Sequence, residues 1–238
     1  MPASLSPPYA IIAIDVSYGL STIAARHPHL RVFLNSDLQR IIGFIVELDK
    51  LKAVLLKTKP LGQDRYENVA EHTWQVCVLA QLLSKYARAP VDVARVTELL
   101  LVHDIPEIDT GDQIVYQTKD NGRMDAEREA AARIFGLLPE PEASWLMSRW
   151  QEYEERKTSE AVFAYAIDRL MPVLHNIHNN GQSWRENRVP LDKIRAGNAV
   201  IGEACPAVWE YLQDILLHLS KDGGFDYGIK SEREPDYR

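Results

Sequence analysis

The feature that most constrains this chain is a set of polar side chains lodged in apolar stripes of helical period. His72 has Val69 three positions before it and Val76, Leu79 and Leu83 four, seven and eleven after it, so it shares the inward face of an amphipathic helix. His103 repeats the arrangement, with Leu99 four and Val96 seven positions before it, and Asp104 follows directly. Asp168 sits inside Val162-Phe163-Ala164-Tyr165-Ala166-Ile167-Asp168-Arg169-Leu170-Met171, where Ala164, Tyr165 and Met171 form the same kind of stripe. A fold that honours all three spacings packs helices around a core that must also receive two imidazoles and two carboxylates.

The rest of the chain is punctuated in the same way, which predicts an all-α helical bundle or orthogonal helical array. Asn35 or Ser36 can cap a helix from Leu38 to about Lys57, carrying Ile41, Ile42, Ile45, Leu48, Leu51 and Leu55. Pro60 and Gly62 mark a loop, a second helix runs from Asn68 to Arg88 before Pro90, and a third starts near Val91 and carries His103. Pro106 and Gly111 break the pattern, so 104–118 reads as a short turn or irregular helix followed by a loop. Helices follow over 124–135, 140–155, 159–177, 191–198 and 206–219, the last with Pro206 in its first turn. Neither a repeat nor a strand pattern is visible. The expected division is one domain over 35–220, an N-terminal extension over 1–34 with a strand-like apolar run Tyr9–Ile14, and a charged, flexible tail over 221–238.

A net charge of −7 and a pI near 5.5 argue against polymeric nucleic acid as a partner, since that binding needs a positive surface. A small anionic substrate stays compatible, because a bound cation reverses the local field. The apolar run near the N-terminus is far short of the roughly 20 residues that span a bilayer, and it lacks the features of a secretory signal, so neither membrane nor export is expected and the cytoplasm is the expected compartment. The two cysteines, Cys77 in an apolar helical run and Cys205, do not make a disulfide framework.

Burying two imidazoles and two carboxylates is costly unless something compensates them. One divalent metal ion does so, and mixed nitrogen and oxygen donors suit Mn, Co, Mg, Ni, Zn or Fe. His72, His103, Asp104 and Asp168 are therefore the candidate metal ligands, and a water on such an ion is the obvious nucleophile.

The order His … His-Asp … Asp resembles the HD-domain phosphohydrolases over about Leu38 to Arg195, and within them the 5'-deoxynucleotidase-like branch. Glu67-Asn68-Val69-Ala70-Glu71-His72 is similar to that branch's first histidine motif. His103-Asp104-Ile105-Pro106-Glu107-Ile108-Asp109-Thr110-Gly111-Asp112 is similar to its second. Glu152-Tyr153-Glu154-Glu155 and Thr158-Ser159-Glu160-Ala161 resemble the stretch before its last ligand. The resemblance implies an HD-type fold, one divalent metal, a nucleoside 5'-monophosphate or other small phosphate ester as substrate, and a homodimer. It assigns Glu107 to orienting or deprotonating the attacking water, and Asp112 to positioning the sugar or protonating the leaving oxygen.

The chain departs from that branch where an Arg closely followed by Trp grips phosphate and sugar before the first histidine motif. Here the loop reads Lys57-Thr58-Lys59-Pro60-Leu61-Gly62-Gln63-Asp64-Arg65-Tyr66. Lys57, Lys59 or Arg65 can hold a phosphate and Tyr66 can stack on a base. His175 and His178, three apart, form a weaker second metal candidate. Glu152, Glu154 and Glu155 read as an exposed helix face, and Trp145, Trp150 and Trp184 as core or dimer surface. Rival readings are a phosphodiesterase of the same fold or a silent nucleotide- or partner-binding module.

Overall fold

The computed structural model describes residues 36–113 and 121–221. The N-terminal extension, the Tyr9–Ile14 run, residues 114–120 and the tail beyond 221 lie outside them. Eleven helices are described: α1 (Ser36–Leu48), α2 (Val69–Leu83), α3 (Val93–Val102), α4 (Glu107–Thr110), α5 (Asn121–Phe135), α6 (Glu142–Glu155), α7 (Ser159–His178), α8 (Gln182–Glu186), α9 (Leu191–Gly197), α10 (Ala199–Ala204) and α11 (Pro206–Lys221). Short 3-10 turns follow α1 (Asp49–Ala53) and α2 (Ser84–Tyr86). The all-α expectation holds, and no strand occurs among the described residues beyond the single antiparallel bridge between Leu55 and Asn68.

The first predicted helix ends early. After the 3-10 turn the chain is extended, with Leu56 N–H donating to Glu67 O at 2.9 Å, Glu67 N–H to Thr58 O at 2.9 Å and Val69 N–H to Val54 O at 3.0 Å. Leu51 and Leu56 are buried while Leu55, Ile42 and Ile45 face out, so the apolar residues here serve an extended ladder as well as a helix. That ladder brings the chain into α2. There Asn68 caps: its side chain accepts from Glu71 N–H at 3.0 Å and the Glu71 carboxylate accepts from Asn68 N–H at 3.4 Å. Such a reciprocal cap contributes about 1 kcal/mol. Asp92 caps α3 by accepting from Ala94 and Arg95 N–H, and Thr158 caps α7 by accepting from Ala161 N–H.

Two apolar cores form. One joins α2, α3, α7, α10 and α11 through Val76, Leu99, Leu100, Phe163, Ile167, Ile201 and Leu212; the other joins α1, the end of α3, α5 and α6 through Phe44, Val102, Ile134, Phe135, Leu146 and Trp150. Val69 belongs to the second core and Val76 to the first, and Leu99 and Val102 divide likewise, so His72 and His103 sit on the seam. Trp150 and Trp184 are core residues, whereas Trp145 is exposed. No helix among the described residues is long and apolar enough to cross a membrane.

Candidate metal centre

His72 is held at one turn past the Asn68 cap, on the face of α2 that also buries Val69 and Val76. His103 closes α3, its N–H donating to Leu99 O at 3.1 Å. Its ring Nδ1 lies 2.7 Å from Leu100 O. A carbonyl can only accept, so Nδ1 carries a proton and Nε2 is the nitrogen turned inward. Asp104 follows with Oδ2 3.0 Å from that Nε2. Asp168, midway along α7, places Oδ1 2.9 Å from His72 Nε2 and 3.4 Å from His103 Nε2, while its Oδ2 accepts from the Tyr153 hydroxyl at 2.9 Å. One nitrogen or oxygen of each of His72, His103 and Asp104 lies within 4.8 Å of the others.

This geometry demands positive charge. His103 Nε2 is buried with no hydrogen-bond partner, although two carboxylate oxygens face it. Burial alone would push His72 down, but Asp168 and Glu67 outweigh it and raise the imidazole to about 10. His103 is likewise held well above its usual value against burial, by Asp104 and Asp168. Asp168 lies well below the carboxylate range despite burial, because the His103 and His72 imidazoles beside it favour its charged form. Protons on the rings meet the same need that a divalent cation meets. Two imidazole nitrogens and two carboxylates fit such an ion by donor type, His72, His103 and Asp104 by mutual convergence and Asp168 by its reach to both rings.

The approach to this point is acidic. Glu107 opens α4 after Pro106, and its buried Oε2 has no partner; burial, then Asp104 and Asp112, raise its carboxyl well above the usual range. Gly111 ends α4 at φ +67°, a conformation that favours glycine, and turns the chain into Asp112. Burial, then Asp104, lift Asp112 to about 6, with Lys57 and Arg123 opposing. Arg123, at the start of α5, reaches Glu107 Oε1 at 3.6 Å and Glu127 Oε1 at 2.6 Å, and donates to Gly111 O at 3.4 Å.

Of the four loop candidates for substrate, Lys57 is the one whose charge is felt at Asp112. Arg65 forms a two-armed ion pair with Glu71, at 2.7 and 2.8 Å. Tyr66 donates to Glu186 Oε2 at 3.1 Å, and Lys59 pairs with Asp64 at 2.6 Å. His175 and His178 do not share a site, for His175 is buried against Glu67 and His178 is exposed. Nor is the acidic run one exposed face: Glu152 pairs with Arg95 and Thr158, Glu154 is half-buried with its carboxyl raised by burial and Glu127, and only Glu155 is exposed. Cys77 is half-buried rather than core, and Cys205 is buried.

Residues 48–209 match the HD domain family. The 5'-deoxynucleotidase HDDC2 of Homo sapiens is 33% identical over 114 residues, 46% of this chain and 53% of that protein. Its counterpart of the same name in Dictyostelium discoideum is 25% identical over 141 residues, 56% of this chain and 74% of that one. The alignment thus spans about half the length of the human relative. A crystal structure from Magnetospirillum magnetotacticum MS-1, described as a predicted metal-dependent phosphohydrolase, is similar with a TM-score of 0.75 and 38% identity, covering 80% of this chain and 98% of that one. A match of this extent runs through all the helices that carry or adjoin His72, His103, Asp104 and Asp168, and the chain belongs to the HD domain family.

Proposed function

We propose that the protein is a metal-dependent phosphomonoester hydrolase acting on nucleoside 5'-monophosphates. The observation that carries this is His103 Nε2, buried without a hydrogen-bond partner and faced by carboxylate oxygens of Asp104 and Asp168 at 3.0 and 3.4 Å, an arrangement that a divalent cation would stabilise. His72, His103, Asp104 and Asp168 would hold the ion. When bound, it supplies Lewis-acid polarisation of the phosphate and activation of a water. Glu107, with Oε2 buried beside this cluster, is the group to take the water's proton. Asp112, half-protonated near pH 6, is placed to hand a proton to the leaving 5'-oxygen or to hold the sugar hydroxyl. Lys57 and Arg123 are the cations whose charge is felt at Asp112, and they are the candidates for the dianionic phosphate by position, Arg123 being also paired with Glu127; Arg65 is paired with Glu71. The similar proteins named 5'-deoxynucleotidase support a nucleotide substrate. A homodimer and a cytoplasmic location are part of the same reading.

A phosphate-release assay on deoxy- and ribonucleoside 5'-monophosphates, with Mn, Co, Mg, Ni or chelator, tests it on wild type and Asp104→Ala together. Metal-dependent release abolished by Asp104→Ala is the expected result. A wild type that binds metal yet releases no phosphate from any of them overturns the nucleotidase reading.

A further inference from the structure

His72 is flanked by a carboxylate at each ring nitrogen. Nε2 faces Asp168 Oδ1 at 2.9 Å, and Nδ1 faces Glu67 Oε2 at 3.6 Å. A neutral imidazole has one donor and one acceptor, so it can satisfy only one of the two as a donor. Glu67 is only 1% exposed. It stands behind the ring, with its backbone locked on both sides by the ladder to Leu56 and Thr58. Its other neighbour is His175, whose Nδ1 lies 3.5 Å from the same Oε2. His175 follows Asp168 by seven residues on α7, so one stripe of that helix serves both edges of His72: Asp168 in front, His175 behind. Glu67 Oε2, His72 Nδ1 and His175 Nδ1 are all buried and all lack another hydrogen-bond partner.

An N–H on each ring, aimed at the shared Glu67 oxygen, serves all three orphaned atoms at once. Glu67 Oε2 is placed to accept N–H from both rings, at 3.6 Å from His72 Nδ1 and 3.5 Å from His175 Nδ1. A proton kept on His72 Nδ1 leaves Nε2 as the nitrogen to face the metal centre when an ion displaces its proton. We infer that Glu67, braced by His175, is a positioning residue that fixes the tautomer and ring orientation of His72 toward the ion. This rests on the assignment of His72 as a metal ligand made above. Carboxylates placed behind ligating histidines commonly change metal affinity by about 10–100-fold.

The test is Mn²⁺ affinity, measured by chelator competition on wild type, Glu67→Gln, His175→Gln and His72→Ala. Both rings face the same oxygen, so a glutamine offers them either a neutral amide oxygen, a weaker acceptor than the carboxylate, or an NH2 group that opposes both. Glu67→Gln is therefore expected to bind Mn²⁺ about 10–100-fold more weakly, while its circular dichroism in chelator matches wild type, and His175→Gln to fall between the two. Glu67→Gln binding within about twofold of wild type, with His72→Ala crippled, overturns the positioning role and leaves the metal centre standing. If His72→Ala also binds as wild type, both assignments fall. The wild type offers a readout that needs no folded variant: in Zn²⁺-loaded protein, a long-range ¹H–¹⁵N spectrum should show an exchange-protected His72 Nδ1–H. A His72 Nδ1 without a proton, or one exchanging freely with water, refutes the proposal.

Discussion

The Tyr153 hydroxyl donates to Asp168 Oδ2 at 2.9 Å and so leaves Oδ1 turned toward His72 and His103. Its ring packs on His103 with centroids 5.0 Å apart, so the side chain both orients a carboxylate and backs an imidazole. Tyr153→Phe keeps the ring and removes the donor. A buried oxygen left unsatisfied costs about 1–3 kcal/mol. The variant should melt lower in chelator and bind Mn²⁺ several-fold more weakly, with wild-type circular dichroism. Unchanged melting and affinity would show that the hydroxyl carries no weight.

Removing the cation should cost stability and take up protons. At a metal concentration 100 times Kd, the folded state gains about 2.7 kcal/mol, roughly 5–10 °C in Tm for a chain of this size. Chelator should reverse that shift, and Asp104→Ala should lack it. Because His72 and His103 are held protonated when no ion is bound, loading must displace protons, so affinity rises with pH through neutrality. Calorimetry in two buffers of different ionisation enthalpy checks this: equal apparent enthalpies would mean no proton is released.

The cluster was legible in the sequence because its members sit at helical spacing in apolar stripes, and helix periodicity is a local property. His72, His103, Asp104 and Asp168 needed only that periodicity to be placed inward. Glu67 and Arg123 were not readable as site residues, and His175 was read with the wrong partner, His178, since each acquires its neighbours through tertiary contact: Glu67 by the ladder with Leu56 and Thr58, Arg123 by reaching from α5 to Glu107, His175 by packing on Glu67. The same reason hides α8, whose first amides donate to the Asn176 side chain on α7, at 2.9 Å from Ser183 and 3.2 Å from Trp184. The exposed-face reading of Glu152 and Glu154 failed because charge says nothing of a partner such as Arg95 on another helix. Arg65 looked like a phosphate grip for lack of any local sign that Glu71, six residues on, would occupy it.

Gly202, inside α10 where Trp209 of α11 packs on it, should tolerate no side chain. A Cβ there would lie 2.6 Å from Trp209 Cδ1 and 3.0 Å from its Cγ, and an indole ring cannot retract as a flexible tip would. Gly202→Ala should lower stability by about 1–3 kcal/mol, read as a drop in Tm, with metal affinity per folded molecule unchanged. Since Ile201 and Leu212 belong to the core that α7 completes, a larger loss that also weakened Mn²⁺ binding would show strain reaching Asp168.

Asp112 sets a pH dependence whose sign can be worked out. Its carboxyl stands at about 6 in the folded chain against 3.8 in its absence, because of burial first and the charge of Asp104 second. Below pH 3.8 the group is protonated folded or unfolded and contributes nothing. Between the two values the folded state alone keeps its proton, so stability falls as pH rises through that window. Above about 6 the charged, buried carboxylate costs the full difference, on the order of 2–3 kcal/mol. Asp112→Asn removes this cost. In chelator the variant should melt with wild type near pH 4, pull ahead between pH 4 and 6, and hold a constant advantage at pH 7 and above. Adding Mn²⁺ should shrink the advantage, since a cation beside Asp104 offsets part of the repulsion, and phosphate release should fall despite the gain in Tm. A variant no more stable than wild type at pH 8 in chelator would show that Asp112 is not a strained charge held for function.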